Sequence, residues 1–227
     1  MKKEDIKEQK LDNHTHIVVI LDKSASMSGL SHSTISGFNG FMKEQKTVAS
    51  KATVSLVQFA AGQDWVYDMM PVAEVSDLTS RSYNTDGPST ALCDSIARAV
   101  HRAENQIKEM NEKPDNVVVV IITDGQENDS KEFQKKHIVK IIEAHEKEGW
   151  DFVFLGANQD AIAEGGSIGV RASNALTYGA TQDGVHAMYA SVSENLTNYR
   201  GLRSKGNKGK IGFFVDTEDK AKNTTEQ

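Results

Sequence analysis

Two short apolar runs, residues 17–21 and 117–122, constrain this chain more than any other feature, because each ends on an aspartate-bearing turn. Runs so short and so rich in β-branched residues read as strands buried on both faces, as in the middle of a parallel sheet. The first passes into Asp22-Lys23-Ser24-Ala25-Ser26-Met27 and the second into Thr123-Asp124-Gly125. Open α/β sheets place their ligand sites at the carboxyl ends of such strands. A carboxylate and two hydroxyls at alternate positions there offer hard oxygen donors, which suit a divalent cation other than zinc. Asp and Ser are also ordinary turn and capping residues, so the first loop alone carries little weight. The second aspartate changes the balance. Two carboxylates at one sheet edge repel unless one is protonated or a cation lies between them.

The length, 227 residues, suits one α/β domain with modest tails. The expected division is a polar leader over 1–13, a folded body over 14–200, and a tail over 201–227 that is basic, then acidic and partly disordered. A net charge of -6 argues against broad attraction to nucleic acid or anionic membrane. The lone Cys93 excludes an intramolecular disulfide and a cysteine-based zinc site. No stretch approaches the roughly 18 apolar residues that span a bilayer, and the opening residues lack the apolar centre of a signal peptide. The expectation is a soluble, cytoplasmic protein.

Along the chain, His14 and His16 stand at the mouth of the first strand and read as strand-edge polar residues before ligands. Ile35, Phe38, Phe41 and Met42 share one helical face, with Ser31 or Ser33 as the cap. A strand over 53–59 turns into a hairpin partner over 65–72, antiparallel at one edge of the sheet. Beyond Gly87-Pro88, Thr90 opens an amphipathic helix carrying Leu92, Ile96, Val100, Ala103, Ile107 and Met110. Its hydroxyl either caps that helix or points into a neighbouring loop. Asp94, one turn on, reads as an acceptor one step removed from a metal, and Cys93 as a core residue. Asp129 and Glu132 form a capping pair for a helix that buries Phe133, Ile138, Ile141 and Ile142 and ends at Gly149. His137 and His145 lie on or beside its apolar stripe and read as structural.

Strands over 150–155 and 175–178, then a helix carrying Val185, Met188, Val192, Leu196 and Tyr199, complete the body. The glycines at 165, 166 and 169 lack the spacing of a phosphate loop. From Arg200 the composition shifts. Arg203, Lys205, Lys208 and Lys210 among glycines read as a solvated linker before a phosphate-binding segment. Ile211, Phe213, Phe214 and Val215 form an apolar cluster that either docks on the body or marks a partner site.

Taken together, Asp22-x-Ser24-x-Ser26-Met27, Thr90 at a helix start and Thr123-Asp124-Gly125 resemble the von Willebrand factor type A domain with its metal-ion-dependent adhesion site. The resemblance spans roughly residues 15–199, with the three parts in family order. Gly125-Gln126-Glu127-Asn128 and residues 155–160 are similar to small stand-alone bacterial or phage members. Family members often have glycine before the metal-binding threonine, where this chain has Pro88-Ser89, which leaves Thr85 as a rival to Thr90.

The resemblance implies a doubly wound α/β fold. Its central sheet is mostly parallel with one antiparallel edge strand, helices cover both faces, and the site lies on the carboxyl edge. It implies direct metal binding by the hydroxyls of Ser24, Ser26 and Thr90, with Asp22 and Asp124 acting directly or through water. Magnesium is the expected ion, with manganese or calcium as alternatives. The implied function is a metal-dependent protein-binding module and not an enzyme, its partner supplying an Asp or Glu to the metal. Family members often serve ATPases or multi-subunit machines. An alternative is a phosphatase-like metal-dependent hydrolase with Asp22 as nucleophile. It lacks an acid two residues on, where Ser24 stands. A third reading, nucleic-acid binding through 200–210, would show steep salt dependence.

Overall fold

The computed structural model describes residues 13–158, 160–207, 209 and 212–214. The leader over 1–12, Gln159, Lys208, Lys210, Ile211 and residues 215–227 lie outside the described residues, as do the readings made of them. The described strands are β1 (His14–Asp22), β2 (Lys51–Phe59), β3 (Gln63–Pro71), β4 (Asn116–Thr123), β5 (Trp150–Ala157) and β6 (Ala175–Tyr178). They form a single sheet in the order β3-β2-β1-β4-β5-β6. β3 runs antiparallel to β2 at one edge, and the other pairings are parallel.

Alternation along β1 sends Ile17, Val19 and Leu21 to one face and Val18 and Ile20 to the other. The first face is covered by α1 (Ser31–Thr47) and α5 (Gln182–Ser204), through Phe38, Phe41, Met188 and Val192. The second is covered by α2 (Leu92–Glu109) and α3 (Lys135–Lys147), through Ile96, Val100, Ile138 and Ile142, with Ala161 of α4 (Ala161–Ser167) beside them. Burial from both sides is why β1 and β4 carry no polar alternation. The doubly wound architecture expected above is the one observed.

Four local readings are corrected. His14 and His16 are not strand-edge groups in water. They are 4% and 0% exposed, and His14 Nε2 and His16 Nδ1 each lie 3.0 Å from Thr53 Oγ1. One hydroxyl donates a single proton, so Thr53 accepts an N–H from at least one of the two rings.

Neither Ser31 nor Ser33 caps α1. A 3-10 turn over Ala25–Leu30 feeds directly into the helix because Met27 and Leu30 are buried, and the Ser33 hydroxyl donates back to the Leu30 carbonyl (2.9 Å). Asp129 and Glu132 do not cap α3, which begins at Lys135 with Gln134 before it. Their carboxylates are taken elsewhere, Asp129 by the Ser89 hydroxyl (2.6 Å) and Glu132 by Arg98 (2.8 Å).

Arg203 belongs to α5 and not to a solvated linker, and Arg200 lies one turn before it in the same helix. Arg200 is fully buried and donates to the Gln45 backbone carbonyl (2.9 Å), the Gln45 side-chain oxygen (3.0 Å) and the Ser50 carbonyl. Arg203 lies over the Tyr199 ring and pairs with Asp151 (3.1 Å). Phe213 stacks on that same Tyr199 ring (5.2 Å between centroids) and is buried, so this member of the apolar cluster docks on the body.

Candidate metal centre

β1 and β4 lie side by side while the chain leaves β1 towards β2 on its other flank, so the crevice beyond their carboxyl ends is the sheet's switch point. Asp22, the last residue of β1, is fully buried there. Its Oδ1 accepts the Ser24 N–H (2.7 Å) and its Oδ2 accepts the Thr123 hydroxyl (2.6 Å). The Ser24 and Ser26 hydroxyls stand 3.0 Å apart, and Ser26 donates to Asp124 Oδ1 (2.7 Å). A chain of hydrogen bonds therefore links the two strand ends, through the Ser24 N–H at Asp22 and the two serine hydroxyls beyond it. Thr90 closes the group from the side: its Oγ1 lies 3.0 Å from where a Cβ on Gly125 would sit, so glycine is what lets the two loops meet. Asp22, Ser24, Ser26 and Asp124 are thus joined by hydrogen bonds, with Thr90 packed beside the residue that follows Asp124. Thr90 is the threonine packed beside Gly125.

The surrounding loops are tied together by further polar residues, of which the sequence gave a role to Asp94 alone. The Tyr83 hydroxyl donates to the Asp22 carbonyl (2.7 Å) from inside the polar connection. Gly87 accepts the Ala25 N–H (2.8 Å), and a Cβ there would fall 2.1 Å from that of Ala60. The Glu127 carboxylate accepts the N–H groups of Cys93, Asp129 and Ser130 and the Ser130 hydroxyl. Asn128 accepts the Thr90 N–H (2.9 Å), and Ser130 that of Asp94 (3.0 Å). In return Asp94 accepts the N–H groups of Lys131, Glu132 and Phe133. The unpaired donors at the start of α2 are thus satisfied from the loop after β4, not by a local cap. Thr123 and Glu127 stood in quoted motifs, the only sequence signal they gave. Tyr83 gave none.

Burial pushes the Asp22 carboxyl above the usual range; the bonds from Thr123 and Ser24 offset only part, and Asp124 adds to it. Burial raises Asp124 as well, against the Ser26 bond. Two bare anions are costly here, and a dication beside them supplies the compensating charge. The donors are all oxygens, so the set fits a hard divalent ion. For Glu127, burial opposes ionisation, but the Ser130 hydroxyl and the surrounding N–H groups hold its carboxyl below the usual range. Burial, with Glu127 adjacent, pushes the Cys93 thiol up to about 12, which keeps it an inert core residue. Asp22 is a poor nucleophile in this setting, since it is sealed from solvent and both its oxygens accept hydrogen bonds. Among the described residues no helix is long and apolar enough to cross a membrane.

The sequence profile of the von Willebrand factor type A domain matches residues 16–220. No curated protein matches the chain. Among solved structures, the chain is similar to proximal thread matrix protein 1 from the mussel byssus, described with a zinc-occupied MIDAS motif (TM-score 0.58, 18% identity, covering 79% of this chain and 47% of that one). It is similar to the vWF domain of the type V pili tip protein Mfa5 from Porphyromonas gingivalis (TM-score 0.60, 9% identity, 88% and 98% covered). It is also similar to the pilus adhesin SpaC from Lactobacillus rhamnosus GG (TM-score 0.57, 10% identity, 82% and 30% covered). The chain spans about half the length of the mussel protein and under a third of SpaC. At such identities the likeness bears on the fold alone. The profile, however, covers most of the chain and agrees with the sheet order and the loops at its carboxyl edge, and the chain belongs to the von Willebrand factor type A domain family.

Proposed function

We propose that this chain is a divalent-metal-dependent protein-binding module. One observation carries the reading: the hydrogen-bonded chain from Asp22 through the Ser24 N–H, then the Ser24 and Ser26 hydroxyls, to Asp124, with Thr90 beside Gly125. In this reading Ser24, Ser26 and Thr90 ligate the metal, and Asp22 and Asp124 act directly or through water. Magnesium fits best, because few protein oxygens plus retained waters match its octahedral habit better than the larger ligand number calcium wants.

A bound dication supplies an electrophilic position for an acidic side chain of the partner. Neutral hydroxyls make up most of the direct set, so little protein charge quenches that position. The chain's own residues do the rest. Thr123 and the Ser24 N–H orient Asp22, and Gly125 admits Thr90. The 3-10 turn and the start of α1 over 28–33, with the loops over 84–89 and 126–130, border the crevice and select the partner. A partner Asp or Glu gains a charge-assisted contact in a partly desolvated cleft. An ATPase or other multi-subunit machine is the class of partner the family resemblance implies. The mussel and pilus proteins named above favour binding over catalysis.

Titration calorimetry with magnesium tests the site: binding should be present in the wild type and lost in Asp22→Ala. Equal binding in both removes the centre. A pull-down with and without chelator, read by mass spectrometry, tests the function. The partner should leave with the metal, and should also be lost in Ser24→Ala/Ser26→Ala.

A further inference from the structure

We propose a second metal site, for zinc or a similar transition ion, formed by Glu104, His145 and Glu148. Glu104 lies in the second half of α2, His145 in the last turn of α3, and Glu148 just beyond that helix. His145 packs edge-on against Trp150, the first residue of β5 (4.6 Å between centroids), so the group sits at the amino end of the strands. Asp22 and Asp124 lie at the opposite end. The two centres share no residue.

The imidazole of His145 points to a ligand. The residue is 6% exposed, and its Nδ1 lies 2.7 Å from the Ile141 carbonyl. A carbonyl only accepts, so Nδ1 carries a proton, and in the neutral ring the lone pair is on Nε2. That Nε2 is buried and has no hydrogen-bond partner among the described residues. It faces Glu104 Oε2 at 3.9 Å, too far for a hydrogen bond. A histidine whose Nδ1–H is held by a backbone carbonyl while Nε2 stays bare has the arrangement of an oriented metal ligand. The sequence made this residue read as structural, because Glu104 reaches it from another helix.

One oxygen from each of Glu104 and Glu148 lies with Nε2 in a group whose members are all within 4.8 Å of one another. Lys108 donates to the other Glu104 oxygen (2.6 Å) and leaves Oε2 turned towards the imidazole. Two carboxylates against one lysine favour a cation here. The carboxyl end of α3, with its partial negative charge, adds to that. One nitrogen and two carboxylate oxygens suit zinc in preference to magnesium or calcium. Zinc bonds of about 2.0–2.1 Å in a tetrahedral site place ligand atoms about 3.3 Å apart. The carboxylates must therefore close in slightly, and Glu148 is exposed enough for its rotamer to adjust. The fourth position faces solvent. Occupancy staples the end of α3 to α2.

The test is zinc titration of the full chain in excess magnesium, which loads the first centre and leaves the second to be read. One zinc equivalent should bind. Glu104→Gln/Glu148→Gln should weaken it by at least about tenfold, the scale known for losing even an outer-shell partner of a metal ligand. Asp22→Ala should leave it intact. Nitrogen NMR of the wild type gives a readout that needs no variant: the Nε2 signal of His145 should move with zinc and not with magnesium. An unmoved signal at saturating zinc overturns the proposal. So does zinc binding that survives the double variant and disappears in Asp22→Ala, which would place the ion at the first centre.

Discussion

Thr123 determines where the Asp22 carboxylate can point. Its side chain is fully buried, its hydroxyl donates to Asp22 Oδ2 at 2.6 Å and accepts the Gly125 N–H at 3.0 Å, and no solvent is at hand to replace either bond. Valine keeps the shape and removes the hydroxyl. Thr123→Val should cost about 1–3 kcal/mol of stability, the penalty for an unsatisfied buried acceptor. It should also weaken magnesium binding by about tenfold, because Asp22 loses the group that orients it. Chemical denaturation and calorimetry read the two effects separately, and a stable variant with unchanged metal affinity would deny Thr123 any part in the site. Gly87→Ala should be destabilising by about 1–3 kcal/mol through overpacking against Ala60. At this scale the sequence showed the ligating types but not their holders. Asp, Ser and Thr at strand ends have a chemistry readable in place. Tyr83 reaches Asp22 across 61 positions, which no local pattern encodes.

At the scale of elements, the start of α2 and the loop after β4 hold each other. Asp94 accepts N–H groups from three consecutive residues of that loop, while Glu127 and Ser130 accept N–H groups of Cys93 and Asp94. Burial opposes the Asp94 charge, yet those N–H groups and Arg98 hold its carboxyl below the usual range. This exchange fixes Thr90 relative to Asp124, since each sits at one end of it. Asp94→Ala strands several donors at once and should cost about 2–4 kcal/mol, more than a single neutral hydrogen bond. Metal affinity should fall with it, while Asp94→Asn, which keeps one carbonyl oxygen, should retain part of both. Affinity that stays constant in Asp94→Ala would show that α2 and the loop do not position the site together. The span of β4 was readable from its apolar run. The starts of α1 and α3 were not, because a 3-10 turn over Ala25–Leu30 runs straight into α1, and α3 begins where His137 Nδ1 accepts the Gln134 N–H (3.1 Å), outside the Ser and Asp–Glu cap patterns.

For the whole molecule, two central strands were legible because burial from both sides leaves its trace in residues 17–21 and 117–122, and the family resemblance supplied the doubly wound sheet around them. What could not be read was which polar groups that burial would enclose. Arg200 and His16 look solvated in sequence and are 0% exposed in the fold. For His16 the enclosure has a consequence at the level of stability. Burial, reinforced by His14 and opposed by the bond to Thr53, lowers its pKa from 6.5 to about 4. The unfolded chain therefore takes up a proton near pH 6.5, and the folded chain only near pH 4. Between those values the unfolded state binds more protons, so stability falls as the pH drops, by up to about 3 kcal/mol from this group. Above about pH 6.5 the contribution is constant. Asp22 and Asp124 have raised pKa values and so act with the opposite sign, gaining stability towards acid. The contrast between wild type and His16→Asn isolates the histidine, since asparagine offers Thr53 a hydrogen-bonding partner and does not titrate. Urea unfolding at pH 7, 6, 5 and 4.5 should show the wild type losing stability more steeply than His16→Asn across that window. Parallel curves would mean that His16 titrates in the fold as it does in water, and that the sheet encloses it less tightly than the geometry requires.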